Sequence, residues 1–143
     1  MNIETEAIKI LTDAQNAVNL GHMENALKII TSGESSLCEF TDQEPHRIDV
    51  INAVAKVFRY LGNLEKAEKW YKKLLKHQPD ASIYNELGRI CELSLRLCDA
   101  AEYYKKAAEL ADNDEYKSNL AACLIRTAKT EEGISIFRDL ARK

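Results

Sequence analysis

A short pattern that recurs four times along the chain constrains the fold more than any other feature. Its clearest copy is Leu61 and Gly62, followed by a turn and by Ala67, which opens a helical run. Equivalent small residues are Ala26, Ala67, Ala100 and Gly133, and they are separated by 41, 33 and 33 residues. Self-similarity at a period of about 33 residues is typical of proteins built from stacked helical repeats.

Each small residue has a large apolar partner four positions later. These partners are Ile30, Tyr71, Tyr104 and Phe137. A spacing of four places both residues on one face of a helix, so a neighbouring helix can approach the small one while the large one fills the space beside it. A second helical segment precedes each copy, and in the third it contains Gly88. Glycine costs roughly 1 kcal/mol in a helix interior relative to alanine, so we expect Gly88 to lie where helices pack closely.

The repeated pattern resembles the tetratricopeptide repeat, whose units of about 34 residues read Trp-x-x-Leu-Gly-x-x-Tyr, then Ala-x-x-x-Phe and then Pro. The third unit matches at Tyr84, Leu87, Gly88, Cys91, Ala100 and Tyr104. The second unit matches at Ile51, Val54, Ala55, Phe58, Gly62, Ala67, Tyr71 and Pro79. The outer two units match less closely, and Asp13 stands where the family shows leucine in the first helix.

The resemblance implies an all-α fold, a right-handed solenoid of about four antiparallel helix pairs that form a tetratricopeptide-like superhelix. We predict a single domain over residues 1–143, with units at about 3–44, 45–80, 81–113 and 114–143. The helices are predicted at about 3–19, 23–38, 45–61, 64–77, 81–95, 98–111, 114–127 and 130–142. The first interval between units is the longest, which indicates a lengthened second helix or a loop across residues 31–45.

The resemblance also implies a binding surface, because the first helices of such repeats line a concave groove that holds extended partners. The candidate binding residues in this groove are Asn52, Lys56, Tyr60, Asn85, Arg89, Ser118 and Arg126, and Gln15, Asn19 and Asp49 belong to the same predicted floor. The amide side chains both donate and accept hydrogen bonds, as binding to a peptide backbone requires. The cationic residues favour a partner with an acidic segment, and tyrosine is a frequent interface hot spot. An ordinary solvated polar face is equally compatible with these residues.

Two functions follow from this interpretation. The first is a non-catalytic adaptor or scaffold that binds an extended peptide or a partner protein in the groove. The alternative is a structural assembly module that self-associates or joins a larger complex through its terminal helices. In particular, the predicted last helix carries Ile134, Ile136, Phe137 and Leu140. We expect the last three to point back into the fourth pair and Ile134 to remain uncovered, so homo-oligomers through this helix are one expectation.

Charge and motif content exclude several other classes. The net charge is −3, which argues against nucleic-acid binding by charge alone. Residues 46–80 are a basic island, and its lysines Lys66, Lys69, Lys72, Lys73 and Lys76 are expected on the outer face as solvated residues or as a contact for an acidic partner. No apolar run approaches the roughly 18 residues that cross a membrane, and a cytoplasmic location is expected. No phosphate loop or hydrolase or metalloprotease motif occurs, so we expect no enzymatic activity, no cofactor and no metal site.

Overall fold

The computed structural model describes residues 2–143, and over that range the chain forms eight α-helices and no strand. They are α1 (Ile3–Asn19), α2 (Met23–Gln43), α3 (Ile48–Tyr60), α4 (Leu64–His77), α5 (Ala81–Leu93), α6 (Leu97–Leu110), α7 (Asp114–Arg126) and α8 (Thr130–Ala141). Each odd-numbered helix packs against the helix that follows it. The predicted all-α architecture of four helix pairs is confirmed.

The helix pairs group into two compact units. The first unit ends at Gln78 and contains α1 to α4, and the second begins at Pro79 and contains α5 to α8. In the first unit α3 packs against both α1 and α2, and in the second α7 packs against α6. The division lies within two residues of the boundary predicted between the second and third repeats, and the single-domain organisation of the chain stays a prediction.

Four helices begin with a side-chain cap that satisfies one of the backbone N–H groups left free at a helix start. Asn2, Asn63, Asp80 and Asn113 accept from the backbone N–H of Thr5, Lys66, Ser82 and Tyr116. Such a cap stabilises a helix by about 1 kcal/mol relative to alanine. These polar residues, just ahead of amphipathic runs, explain why α1, α4, α5 and α7 begin where the sequence predicts.

Two predicted boundaries require correction. The long first interval is filled by helix, since α2 continues to Gln43 rather than ending at residue 38. The third helix begins at Ile48 and not at residue 45. Arg47 forms a turn with its N–H bonded to the Glu44 carbonyl, and its guanidinium reaches Glu4 of α1 at 2.8 Å. This tertiary contact holds the residues before α3 outside the helix.

The turns inside the four pairs share one geometry. The second residue after each first helix has a left-handed backbone, with φ of 79° at Gly21, 80° at Gly62, 62° at Leu95 and 66° at Ala128. The next residue donates its N–H five positions back, as in His22 to Ala17 and Arg96 to Cys91, both at 2.8 Å. This is the Schellman arrangement, which normally uses glycine because a Cβ is disfavoured there.

At Leu95 the left-handed backbone is strained by the Cβ, and packing does not offset this strain because the side chain is 76% exposed. We expect Leu95→Gly to raise the free energy of unfolding by about 0.5–1 kcal/mol, since relief of left-handed strain exceeds the greater chain entropy of glycine. Urea denaturation followed by circular dichroism measures the change. Gly62→Ala, the reciprocal substitution, should destabilise by a similar amount, and a Leu95→Gly protein less stable than wild type would contradict the account.

The small residues of the repeat lie at the packed helix contacts. Ala26, Ala67 and Ala100 are fully buried, and Gly133 is buried as well. The expectation for Gly88 is also confirmed, because a Cβ at this position would lie 2.6 Å from the ring of Tyr104. Close approach of α5 and α6 therefore depends on a residue without a side chain.

The large partners divide into three that are buried and one that is not. Ile30, Tyr71 and Tyr104 are at most 1% exposed. Phe137 is 39% exposed, so the prediction that it points back into the fourth pair is wrong. Ile136 and Leu140 are half-buried against α7, as expected, and Ile134 is 43% exposed. In the third pair, Tyr104 packs with Cys123 of α7, whereas none of the helices in residues 2–143 covers α8 in this way.

Candidate interaction site

A cavity of about 570 Å³ lies between α1 and α3 in the first unit. Its lining consists of Gln15, Val18, Asn19, Asp49, Asn52, Ala53, Lys56, Val57 and Tyr60. The volume falls in the range of about 300–1,000 Å³ that is usual for ligand sites. Three of the seven predicted binding residues, Asn52, Lys56 and Tyr60, therefore line one cavity, together with the predicted floor residues Gln15, Asn19 and Asp49.

The helical period explains why these side chains converge. Asn52, Lys56 and Tyr60 follow one another at intervals of four along α3, which places them on a single stripe. Gln15 and Asn19 form the matching pair on α1. The inner positions of both helices are apolar, so burial of Leu11, Ala14 and Val54 turns the polar stripes outward. Three amide side chains are thereby presented around one space, each able to donate and to accept a hydrogen bond.

Charge is distributed unevenly along the cavity. Asp49 lies at the start of α3, where the guanidinium of Arg47 donates to its two carboxylate oxygens at 3.1 and 3.2 Å. These hydrogen bonds hold the pKa of the Asp49 carboxyl below its usual range. Lys56 lies two turns further along, at about 10 Å. It has no ion-pair partner among residues 2–143, so it is the cation of this cavity that remains available to a ligand.

Tyr60 closes the same end of the cavity as Lys56. Its side chain is 65% exposed although it belongs to the last turn of an otherwise well-packed helix. An exposed tyrosine offers a large apolar area and a polar hydroxyl at low cost in conformational entropy. The Lys56 and Tyr60 end of the cavity is thus able to bind a carboxylate and an apolar group side by side.

The second unit places its predicted residues differently. Asn85 on α5 is only 4% exposed, and its side-chain oxygen accepts from the amide of Asn119 on α7 at 3.0 Å. Asn119 lies one repeat later in sequence and was not singled out from the sequence. The pair joins α5 to α7, and a buried amide that loses such a partner costs about 1–3 kcal/mol. Asn85 therefore has an internal role in this unit.

The other three predicted residues of the second unit are Arg89 on α5 and Ser118 and Arg126 on α7. Arg126 is exposed, but its guanidinium contacts the Glu92 carboxylate at 2.8 Å. The same carboxylate accepts the hydroxyl of Tyr104 at 2.9 Å. Arg89 is exposed and lies 3.8 Å from Glu86, and Ser118 is half-buried. A partner that bound either arginine would compete with a carboxylate of this chain.

The basic island is largely neutralised within the first unit. Lys66 contacts Glu34 at 2.7 Å, Lys73 contacts Asp42 at 2.7 Å, and Lys72 contacts Glu68 at 3.5 Å. Glu34 also accepts from the indole of Trp70 at 3.0 Å. Burial tends to raise the pKa of Glu34, but the hydrogen bonds from Lys66 and Trp70 outweigh it and lower that pKa. These contacts favour the interpretation of the lysines as a stabilising helix surface.

Sequence reasoning missed the apolar part of the cavity, which consists of Val18, Ala53 and Val57. These three residues could have been found in the sequence from their position between the polar stripes, one residue from Asn19, Asn52 and Lys56.

Among residues 2–143, no three histidine, cysteine or acidic side chains come together in a way that could hold a metal ion. Across the same residues, none of the helices combines the length and the apolar character needed to span a membrane.

Comparison with known proteins identifies part of this architecture directly. A family model described as the tetratricopeptide repeat matches residues 48–80, which contain α3 and α4. The second helix pair is a tetratricopeptide repeat. The α3 side of the cavity, with Asn52, Lys56 and Tyr60, is therefore formed by the first helix of this tetratricopeptide repeat. The comparison with curated proteins found no match.

Solved structures extend the likeness to nearly the whole chain. BtubC from P. vanneervenii has a TM-score of 0.77 and 16% identity, covering 99% of this chain and 64% of its own. The MamA RS-1 double mutant has a TM-score of 0.74 and 16% identity, covering 95% and 74%. YrrB is described as a tetratricopeptide repeat protein with an unusual peptide-binding site. It has a TM-score of 0.66 and 17% identity, and the match covers 92% of this chain and 66% of YrrB. At these identities the likeness shows the fold, and the tetratricopeptide-like solenoid class predicted from sequence is confirmed.

Proposed function

We propose that the chain is a non-catalytic protein-interaction module that binds an extended segment of a partner protein in the cavity between α1 and α3. The observation that carries this proposal is the convergence of three amides, an unpaired lysine and an exposed tyrosine on one cavity of about 570 Å³. Amides suit the backbone of an extended chain, which has one donor and one acceptor at nearly every residue. An adaptor or scaffold role follows from this mode of binding.

The cavity favours a partner segment with an acidic residue and an adjacent apolar residue. A carboxylate at the Lys56 end would gain a charge-assisted hydrogen bond, and the apolar group would cover Tyr60. At the opposite end Asp49 would repel a second acidic group, so the preferred segment carries its negative charge at one end. In the second unit by itself, Arg89 and Arg126 would bind a partner carboxylate only by releasing Glu86 and Glu92. Asn85 and Ser118 would act by supporting α5 and α7.

Selection from a random peptide library against the wild-type chain tests this function. We expect the selected peptides to share an acidic residue next to an apolar one, and we expect Lys56→Glu and Tyr60→Ala each to weaken the strongest synthetic peptide by roughly tenfold or more. Both positions are exposed, so the melting temperature should remain close to that of wild type. Fluorescence anisotropy with a labelled peptide gives the dissociation constants.

Lys76→Glu is the matched control, because it makes the same charge change at an exposed lysine of α4 that forms no ion pair among residues 2–143. It should bind the peptide nearly as wild type does. If Lys56→Glu and Lys76→Glu weaken binding equally, the effect comes from the overall charge of the chain, and the cavity is not the binding site. Failure of the library to yield any binder would contradict recognition of extended segments.

Assembly through the terminal helices is the second candidate function, and the surface of α8 favours it. Ile134 and Phe137 are 43% and 39% exposed, and Ile125 of α7, whose side chain lies against Gly133 of α8, is 36% exposed. Apolar side chains grouped in this way mark contact surfaces more often than isolated ones do. In this function the chain joins a second copy or a larger complex through α8, and the cytoplasmic location expected from the sequence applies to either function.

A further inference from the structure

We propose that α8 pairs with α8 of a second copy of this chain in an antiparallel arrangement about a twofold axis. This inference rests on the second proposed function, assembly through a terminal helix, and it specifies the occupant and the geometry. Four residues of α8 define an outer stripe, at intervals of four, three and four. They are Thr130, Ile134, Phe137 and Ala141, and all four are exposed.

The repeat register shows that this stripe lies where a helix is normally covered. Phe137 occupies the position of Ile30, Tyr71 and Tyr104, each of which is at most 1% exposed. On the inner side of α8, Ile136 and Leu140 already face Leu120 of α7 around a space of about 310 Å³. The outer stripe is thus a second apolar surface of the same short helix, and it has no internal role in the part of the chain that the structure describes.

Charges beside the stripe complement a second copy in antiparallel orientation. Glu131, Arg138 and Arg142 lie within about 40° of one another at about 100° per residue, so they form one flank. The acid is at the start of the helix and the two cations are at its end. A twofold axis between Ile134 and Phe137 places these two residues against each other and brings like flanks together. Glu131 of each copy then lies beside Arg138 and Arg142 of the other.

The three flanking groups are available for this pairing. Glu131 and Arg138 form no ion pair among residues 2–143, and Arg142 makes only a contact of 3.8 Å with Asp139, where both side chains are 72% exposed. Parallel pairing about a twofold axis along the helices would put the two charged flanks on opposite sides of the pair, so Glu131 of one copy would meet neither Arg138 nor Arg142 of the other. The antiparallel arrangement is therefore the one that the charges favour.

The same surface is poorly matched to a head-to-tail stack against the first helix of another copy. The exposed residues of α1 include Thr5, Lys9, Thr12, Asp13 and Asn16, and the one large exposed hydrophobic of this helix is Ile8. Covering Ile134 and Phe137 with such a face would leave polar groups against apolar ones. A single pair of 12-residue helices buries less than the roughly 1,200 Å² of a standard stable interface, so the pairing is a weak and concentration-dependent dimer.

Sedimentation equilibrium of the full chain over about a hundredfold range of concentration tests the pairing. We expect a reversible monomer–dimer equilibrium that Phe137→Asp weakens by roughly tenfold or more. Leu95→Asp is the control, because it changes an exposed leucine of the same unit that lies in the α5–α6 turn. A strict monomer throughout the range would overturn the inference together with self-association, leaving assembly with a different protein.

A charge exchange isolates the antiparallel geometry. Glu131→Arg in one chain and Arg138→Glu with Arg142→Glu in another should each weaken the homodimer, and the mixture of the two should restore a dimer of wild-type strength. If Phe137→Asp loses the dimer but the charge-exchanged mixture does not restore it, the antiparallel pairing is overturned. Self-association through α8 would still hold in that case. A dimer unaffected by Phe137→Asp would place the contact elsewhere and overturn the inference.

Discussion

Tyr104→Ala is expected to lower the free energy of unfolding of the second unit by about 3–5 kcal/mol, the usual cost of removing a fully buried aromatic side chain. Tyr104 is 1% exposed and packs with Cys91, Ala100 and Cys123. Its hydroxyl donates to Glu92 at 2.9 Å, so the substitution also removes a partly buried hydrogen bond. Whole domains are stable by only about 5–15 kcal/mol, so urea denaturation should show a much lower midpoint.

Tyr60→Ala provides the matched control for that loss. It removes the same side chain from a position that is 65% exposed, so its effect on stability should stay within about 0.5 kcal/mol. The two variants separate folding from binding, because Tyr60→Ala is also expected to weaken the partner peptide. Similar denaturation midpoints for Tyr104→Ala and wild type would show that the α5, α6 and α7 contact described here does not hold the second unit together.

Gly133→Leu should destabilise the fourth helix pair by about 1–3 kcal/mol or more through overpacking. A Cβ at Gly133 would lie 2.6 Å from the backbone oxygen of Ala121 and 2.7 Å from the side chain of Ile125. The backbone of α7 cannot yield as a flexible side chain can, so the two helices must separate. Helix propensity acts in the opposite direction, since a glycine in a helix interior is about 1 kcal/mol worse than leucine or alanine.

Thermal and urea denaturation decide which effect is larger. Ser135→Leu on the exposed side of α8 places the same side chain in the same helix, and it should change stability by no more than about 0.5 kcal/mol. If Gly133→Leu were as stable as wild type or more stable, propensity would outweigh packing. The close approach of α7 and α8 at Gly133 would then be wrong.

Local signals in the sequence were sufficient for most of the fold. The bounds of α4 agree with the prediction, because Asn63 caps its first turn and Pro79 follows its end. The sequence predicts the start of α3 three residues early, because Arg47 is held in a turn by contacts with Glu4 in α1 and Phe40 in α2. Propensity describes neighbours along the chain, and these contacts are with other helices.

The candidate site was predictable to the extent that it depends on helical period. Asn52, Lys56 and Tyr60 share a stripe by spacing alone, and the structure places them in one cavity. Spacing does not show which polar groups neutralise each other between helices. Asn85 with Asn119 and Arg126 with Glu92 are pairs of this kind, each separated by 34 residues. Such contacts could have been sought in the sequence as complementary polar residues separated by about one repeat period.

The exposure of Phe137 has a related cause. Its spacing from Gly133 is the same as that of Tyr104 from Ala100, and the local pattern therefore predicts burial at both. Burial depends on a covering helix, which α7 supplies to Tyr104. A pattern within one helix carries no information about whether such a cover exists.

The most direct measurement of the central claim is an NMR titration of the isotope-labelled chain with the strongest library-selected peptide. Binding between α1 and α3 predicts that the largest amide shift changes occur at Gln15, Asn19, Asn52 and Tyr60, and that Lys56→Glu requires roughly tenfold or more peptide to produce them. Largest changes on the α4 lysine face or on α8, with the residues between α1 and α3 unmoved, would contradict it.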